Sequence, residues 1–174
     1  MKKCCFVIMA FWMLALAVSC AGTSGNELSL ALGGKVIGYG DSIARVEKVL
    51  GTKTDEMSIF RIYDCGRVFY RDGKAAIINV DSGDTGQFIW QSKAGGKQGI
   101  IKMGDSFSDI KRILEIRDDQ VETIRTLYVY YTKDGNQLRR SDKLKWDYLV
   151  VFDFKDGVLH SITVGDKEGL ANLR

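Results

Sequence analysis

The side chains able to do chemistry are few and poorly grouped. The only histidine is His160, set between Leu159 and Ser161. Cys4, Cys5, Cys20 and Cys65 complete the soft ligands and thiols. With one histidine, and Cys65 the only thiol in the body of the chain, neither a Cys/His zinc site nor a Cys–His dyad has support. A Ser-His-Asp triad needs one histidine only, but no serine sits in a Gly-x-Ser-x-Gly elbow. Asp118 and Asp119 are adjacent, which suits a wet turn better than a paired acid and base. Asp134-Gly135-Asn136 is too short for a calcium loop, and Gly33-Gly34 and Gly95-Gly96 lack the lysine and spacing of a phosphate loop. No metal or other cofactor is expected, and an enzyme is not the expected class.

Gly40-Asp41-Ser42 resembles a nucleophile corner in isolation, but it occurs twice. Ile43, Val46, Val49 and Leu50 follow the first copy; Phe107, Ile110, Ile113 and Leu114 follow Gly104-Asp105-Ser106. The offset is constant, 104 − 40 = 64. Two nucleophiles would need two bases, so the corners are expected to cap helices: Asp41 or Ser42 can offer an oxygen to the free N–H groups of the next turn. The apolar residues fall at spacings of three and four and share one helical face. Gly51 stands where a left-handed residue closes the first helix, whereas Glu115-Ile116-Arg117 replaces that glycine, predicting a second helix one turn longer. One supersecondary unit used twice is the expected organisation.

The elements around these corners are strands. Residues 35–39 lead into the first corner, and 58–64, 68–71 and 75–80 follow as an antiparallel meander turned at Cys65-Gly66 and Asp72-Gly73. Cys65 is expected half-buried. The loop 81–86 breaks the pattern, 87–91 is a further strand, 94–96 a turn, and 99–103 leads into the second corner. Residues 122–132 read as a long strand in which Leu127, Val129 and Tyr131 alternate with Tyr128 and Tyr130. Trp146, Tyr148, Val150, Phe152 and Phe154 form one face of the next strand, and Asp156-Gly157 turns into the last, 159–164. The closing hairpins also correspond, at 156 − 72 = 84, so the second unit is longer by 84 − 64 = 20 residues. That excess is placed around 133–145, as a loop carrying Arg139 and Arg140. The expected fold is α+β: two tandem helix-plus-meander units, helices on one face of a curved antiparallel sheet.

The N-terminal segment carries a different kind of signal. Met1-Lys2-Lys3 precedes an apolar run from Phe6 to Val18, too short to span a bilayer but suited to a signal-peptide core. Leu16-Ala17-Val18-Ser19-Cys20 resembles the lipobox of bacterial lipoproteins, with Ala17 where that family most often has leucine. The resemblance implies cleavage before Cys20 and its acylation, hence export and an anchor in the outer or cytoplasmic membrane, facing the periplasm or the cell surface. The expected divisions are a signal peptide 1–19, a lipidated cysteine and flexible tether 20–34, unit one 35–86, unit two 87–166 and a frayed tail 167–174. The chain holds 25 Lys and Arg against 22 Asp and Glu, a formal charge of +3 that falls once Lys2 and Lys3 leave. That balance gives no electrostatic case for nucleic acid as a partner.

The repeated corner, short helix and meander resemble two related groups. One is the small outer-membrane lipoproteins of the β-barrel assembly machinery, the SmpA/OmlA type; the other is the β-lactamase inhibitor proteins, which carry the unit in tandem. Gly40-Asp41-Ser42, Val46, Val49, Leu50 and Gly51 carry the likeness in the first unit, and Gly104-Asp105-Ser106, Ile110, Ile113 and Leu114 in the second. The chain departs from the inhibitors in that Cys65, the only thiol left in the body, cannot form their disulfides, and from the assembly lipoproteins in having two units. The resemblance implies a longer concave sheet that grips a partner protein. Tyr128, Tyr130 and Tyr131, with Arg139 and Arg140, are the expected partner-binding residues; Tyr128 and Tyr130 are the better placed, and Trp146 and Tyr148 are expected in the core. A structural role in envelope assembly, or a small ligand or glycan held between the units, are the other readings.

Overall fold

The computed structural model describes residues 28–32, 35–57, 59–81, 89–92, 99–134 and 137–171. The expected leader 1–19, Cys20, the 82–86 loop and the 94–96 turn lie outside them. The fold is α+β, dominated by one large antiparallel sheet. In chain order the strands are β1 (Ser29–Leu32), β2 (Lys35–Gly38), β3 (Asp55–Met57), β4 (Phe60–Tyr63), β5 (Gly66–Arg71), β6 (Lys74–Asp81), β7 (Ile89–Ser92), β8 (Gly99–Lys102), β9 (Thr126–Asp134), β10 (Gln137–Arg140), β11 (Tyr148–Lys155) and β12 (Val158–Asp166). Helix α1 (Ile43–Leu50) follows β2, α2 (Phe107–Ile113) follows β8, and α3 (Lys167–Ala171) follows β12.

The large sheet has the order β10-β9-β11-β12-β6-β5-β4-β3, and a second sheet has the order β2-β1-β7-β8. The small sheet, α1 and α2 together cover one face of the large sheet. Leu30, Ile37 and Ile101 from the small sheet, and Val46 and Ile110 from the helices, meet Val68, Ile78, Val80, Leu127, Val129, Val150, Phe152, Ile162 and Val164 from the large one. Each fully buried aliphatic side chain contributes roughly 1.5–3 kcal/mol, so this layer holds short helices that would not persist alone.

Both Gly-Asp-Ser corners are built by the same bonds. Ser42 Oγ accepts from the Arg45 N–H at 3.3 Å, and Ser106 Oγ from the Asp109 N–H at 3.1 Å. The aspartates act on the other side of the corner. Asp41 Oδ2 accepts from the Gly38 N–H at 2.8 Å and Asp105 Oδ2 from the Lys102 N–H at 2.7 Å, fixing the turn out of the strand. The Gly40 N–H donates to the Ala75 carbonyl and the Gly104 N–H to that of Leu159. The Ala75 and Leu159 N–H groups donate back to the Asp41 and Asp105 carbonyls. Gly40 and Gly104 take φ of 82° and 87°, a region costly for residues with a Cβ.

Several sequence expectations are corrected. The tether expected through residue 34 ends earlier, because Leu28 and Leu30 are buried and β1 pairs with both β2 and β7. The second helix is not a turn longer: it stops at Ile113, and Glu115 takes the left-handed conformation at φ 51° that glycine usually supplies. The Ile116 N–H then reaches the Lys111 carbonyl at 2.9 Å and its side chain is buried, the hydrophobic closure of a Schellman turn. The long strand starts at Thr126 rather than 122. The 133–145 stretch, expected as a loop, holds the end of β9 and all of β10, paired antiparallel. The tail expected to fray forms α3 over residues 167–171. Cys65 is 5% exposed, buried rather than half-buried, and burial, then the nearby Asp64 carboxylate, push its thiol pKa up.

Candidate functional site: the outer face of the large sheet

One face of the large sheet is covered by the small sheet, α1 and α2; strand parity decides what the other presents. On β9, Leu127, Val129 and Tyr131 point inward, so Tyr128 and Tyr130 point out. The pairing registers align the outward residues in rows that cross the strands. One row runs Asp55, Ile62, Arg67, Asn79, Thr163, Val151, Tyr128. A second runs Met57, Phe60, Phe69, Ile77, Gly165, Leu149, Tyr130. A third, at the end of the sheet, holds Asp81, Ser161, Asp153 and Thr126. There Asp153 accepts from Thr126 Oγ1 at 3.0 Å and Ser161 Oγ at 3.2 Å.

Helix α3 lies across the middle of the second row. Asp166 Oδ1 accepts from the Gly169 N–H at 2.6 Å, turning the chain out of β12. A Cβ on Gly165 would stand 3.2 Å from Leu170 Cγ and 3.3 Å from Ile77 Cγ1, so glycine at this position is what admits the helix. Two apolar areas flank α3. On one side, Phe60 and Phe69 meet edge to face at 6.3 Å, with the Arg67 guanidinium 5.6 Å over the Phe60 ring. On the other, the Tyr128 and Tyr130 rings lie nearly parallel at 6.4 Å, Trp146 is 5.9 Å from Tyr130, and Lys167 Nζ is 5.6 Å over Trp146. Burial, then the Glu122 and Tyr128 charges, push the Tyr130 pKa up, which keeps its hydroxyl neutral.

Of the expected partner-binding residues, Tyr128 and Tyr130 stand on this face. Tyr128 is 38% exposed. Tyr131 is corrected: it is 1% exposed, on the core side, because it shares parity with Leu127 and Val129. Arg140 lies 5.9 Å over the Tyr131 ring and donates to the Leu114 carbonyl at 3.2 Å, tying β10 to the end of α2. Arg139 is at the sheet edge, ion-paired with Asp134 at 3.1 Å. Tyr148 packs against the core as expected. Trp146 does not: it precedes β11, so strand parity does not bind it to Tyr148, and it joins Tyr130 outside. Cys20 lies outside the described residues. Sequence reading missed Phe60, Phe69, Arg67 and Asn79; alternation in β4 and β5 was the available signal.

A polar cleft at one end of the sheet is lined by Tyr39, Arg71, Lys133, Asp147, Tyr148, Asp166, Lys167 and Glu168. Several of its groups pair with one another. Asp166 Oδ2 accepts from Tyr39 Oη at 2.7 Å and from Arg71, which also meets Glu168 at 3.0 Å. Asp147 accepts from the Lys133 N–H at 2.8 Å and Thr132 Oγ1 at 2.9 Å, and those bonds hold its carboxyl below the usual range. The cleft therefore anchors α3 and the β9–β10 hairpin. His160 is exposed on β12, and both corner serines are engaged as caps. Among the described residues no group of three His, Cys, Asp or Glu could hold a metal ion, and no helix is long and apolar enough to cross a membrane. No family model matches the chain, and neither a curated protein nor a solved structure does.

Proposed function

We propose that this chain is an exported bacterial lipoprotein, held at a membrane through acylated Cys20, whose outer sheet face binds another protein without catalysing a reaction. The observation that carries the reading is the half-exposed cluster Tyr128, Tyr130 and Trp146 opposite the face that α1 and α2 cover. Large aromatic groups dominate the energetics of protein interfaces, and a sheet needing only stability would present polar groups there. The anchor rests on the lysines, apolar run and Cys20 of the first twenty residues; several acyl chains, at about 0.8 kcal/mol per buried methylene, hold a protein durably.

The same reading makes the domain two copies of one unit. Supporting this are the matched corner bonds and the bulges at Phe69/Tyr70 and Asp153/Phe154, both following the offset of 84. So do the central pairings Ser161↔Asp81 and Gly165↔Ile77, which a two-fold axis at Asn79↔Thr163 would exchange.

A photoreactive phenylalanine at position 128 of the full chain, in its native membrane, tests the binding surface, with position 48 on exposed α1 as control. Cross-linked protein partners are expected from position 128 and not from 48, and fewer after Tyr130→Ala. Equal yields from both positions, or none, overturn the reading. For the anchor, Cys20→Ser should abolish partition into detergent; unchanged partition refutes it.

A further inference from the structure

Arg67 sits among apolar groups on the outer face, in an arrangement that stability alone does not require. Its Nε donates to Asn79 Oδ1 at 3.2 Å, and Asn79 Nδ2 donates to Thr163 Oγ1 at 2.8 Å. Asn79 is 7% exposed, between Ile78 and Val80 on the central strand β6. A buried amide at the middle of a sheet is costly unless its bonds are made. Here its acceptor and one donor are used to fix a neighbouring guanidinium. The Phe60 ring supports that guanidinium 5.6 Å from its centroid. Among the described residues Arg67 has no carboxylate within ion-pair distance, unlike Arg61 and Arg71 on the neighbouring strand and on its own, which have two each. Among the described residues its terminal nitrogens form a fork, held at one end through Nε and supported on one face. A guanidinium fixed this way matches the planar, bidentate geometry of a carboxylate.

We infer that Arg67 is the polar anchor of the outer face, and that the segment bound there is a stretch of protein presenting an aspartate or glutamate side chain to it. The inference rests on the protein-binding reading of this face and adds its chemistry. Arg67 and Tyr128 stand in the same row, four strand spacings apart, or roughly 19 Å at about 4.8 Å each. An extended segment rising about 3.3 Å per residue covers that distance in about six residues. The bound stretch therefore places its acid about six residues from the apolar side chain that meets Tyr128, Tyr130 and Trp146. The fork supplies register, and the rings supply most of the affinity.

The test is selection of displayed random peptides, about twelve residues long, on the full chain in detergent, followed by affinities of synthetic versions. Enriched peptides are expected to share an acidic residue, and to lose about tenfold in affinity on Arg67→Met, which keeps an apolar stem over Phe60. Arg67→Lys, which keeps the charge and loses the fork, should recover only part of that loss. Arg67→Glu should restore binding to peptides whose acid is replaced by lysine. Thermal midpoints within a degree or two of the parent's, which an exposed side chain should permit, separate lost binding from lost fold. Peptides that need Tyr128 and Tyr130 but ignore Arg67→Met overturn the acidic anchor and leave the protein-binding face standing. No enrichment, or peptides indifferent to both sites, overturns both.

Discussion

If the polar row of the outer face serves binding, replacing its central member by an apolar residue should leave the fold nearly as stable. Asn79→Leu is the perturbation. It removes the bond to Thr163, about 0.5–1.5 kcal/mol net, and the bond from Arg67, about 1.5–3 kcal/mol for a charged donor and nearer the low end because Arg67 is exposed. Neither abandoned partner pays for a buried, unmet group, since Arg67 is exposed and Thr163 half-exposed, and both can turn to water. Against this, a leucine buried at a position only 7% exposed contributes about 1.5–3 kcal/mol. Asparagine is also disfavoured in strands, on a scale spanning about 1 kcal/mol. The balance lies within about 1.5 kcal/mol of zero. Urea unfolding of parent and variant, extrapolated linearly to water, reads it directly. A loss above about 3 kcal/mol would show that Asn79 holds the two halves of the sheet together, and the case for a row kept for binding would fail.

Three further outcomes follow from the packing. Tyr131→Ala should cost about 3–5 kcal/mol and Tyr128→Ala less than about 1, because one side chain is 1% exposed and the other 38%; comparable thermal midpoints would contradict the assigned strand parity. Ser42→Ala and Ser106→Ala should each remove about 1 kcal/mol, and their double variant the sum, since each caps its own helix. A shortfall of more than about 0.5 kcal/mol in urea titrations would mean that the corners are coupled. Burial, then the bond to Asp166, push the Tyr39 pKa up to about 12, so the folded chain holds that proton more tightly than the unfolded chain. Its contribution is complete below pH about 10 and disappears as pH rises through about 12. The stability gap between parent and Tyr39→Phe should therefore narrow across that window, and a constant gap would refute the linkage.

What could be read from the sequence was whatever local period decides. The corners, α1, the hairpins at Asp72-Gly73 and Asp156-Gly157, and the opposite parity of Tyr128 and Val129 all follow from spacings of two, three or four residues. The errors have a common cause, which is that tertiary contacts made the element. Helix α3 has five residues and no stability of its own; it forms because Arg71 holds Asp166 and Glu168, and because Gly165 leaves room for Leu170. Glu115 accepts a left-handed backbone because burying Ile116 compensates for it. Strand β1 is too short for its alternation to stand out before β2 and β7 flank it. The outer face was half legible for the same reason. Alternation assigns a side chain to a face but not to a row, and the row from Arg67 to Thr163 joins residues far apart in sequence through the β6–β12 pairing.

That row also bears on why two copies of a unit would be useful. On the two-unit reading, Asn79 and Thr163 occupy equivalent positions, and so do Arg67 and Val151, each pair following the offset of 84. Ile62 and Tyr128 are then equivalent as well, being the next partners outward from Arg67 and Val151. On that reading, the copies would keep the same bonding scheme where they support the same corner, helix and hairpin. Where they face outward, one has a cation at the inner position and the other a phenol at the outer one. Duplication by itself gives a face with two identical ends, which a partner could engage in either direction. The Arg67 fork on one half and the Tyr128–Tyr130–Trp146 cluster on the other make the ends chemically unlike. Helix α3 adds a further difference between the halves, because the glycine that admits it, Gly165, stands where the first copy has Asp81 on β6. On the proposed reading, a segment with its acid on one side and its apolar group on the other would fit in a single orientation, and specificity would reside in the departures from the repeat.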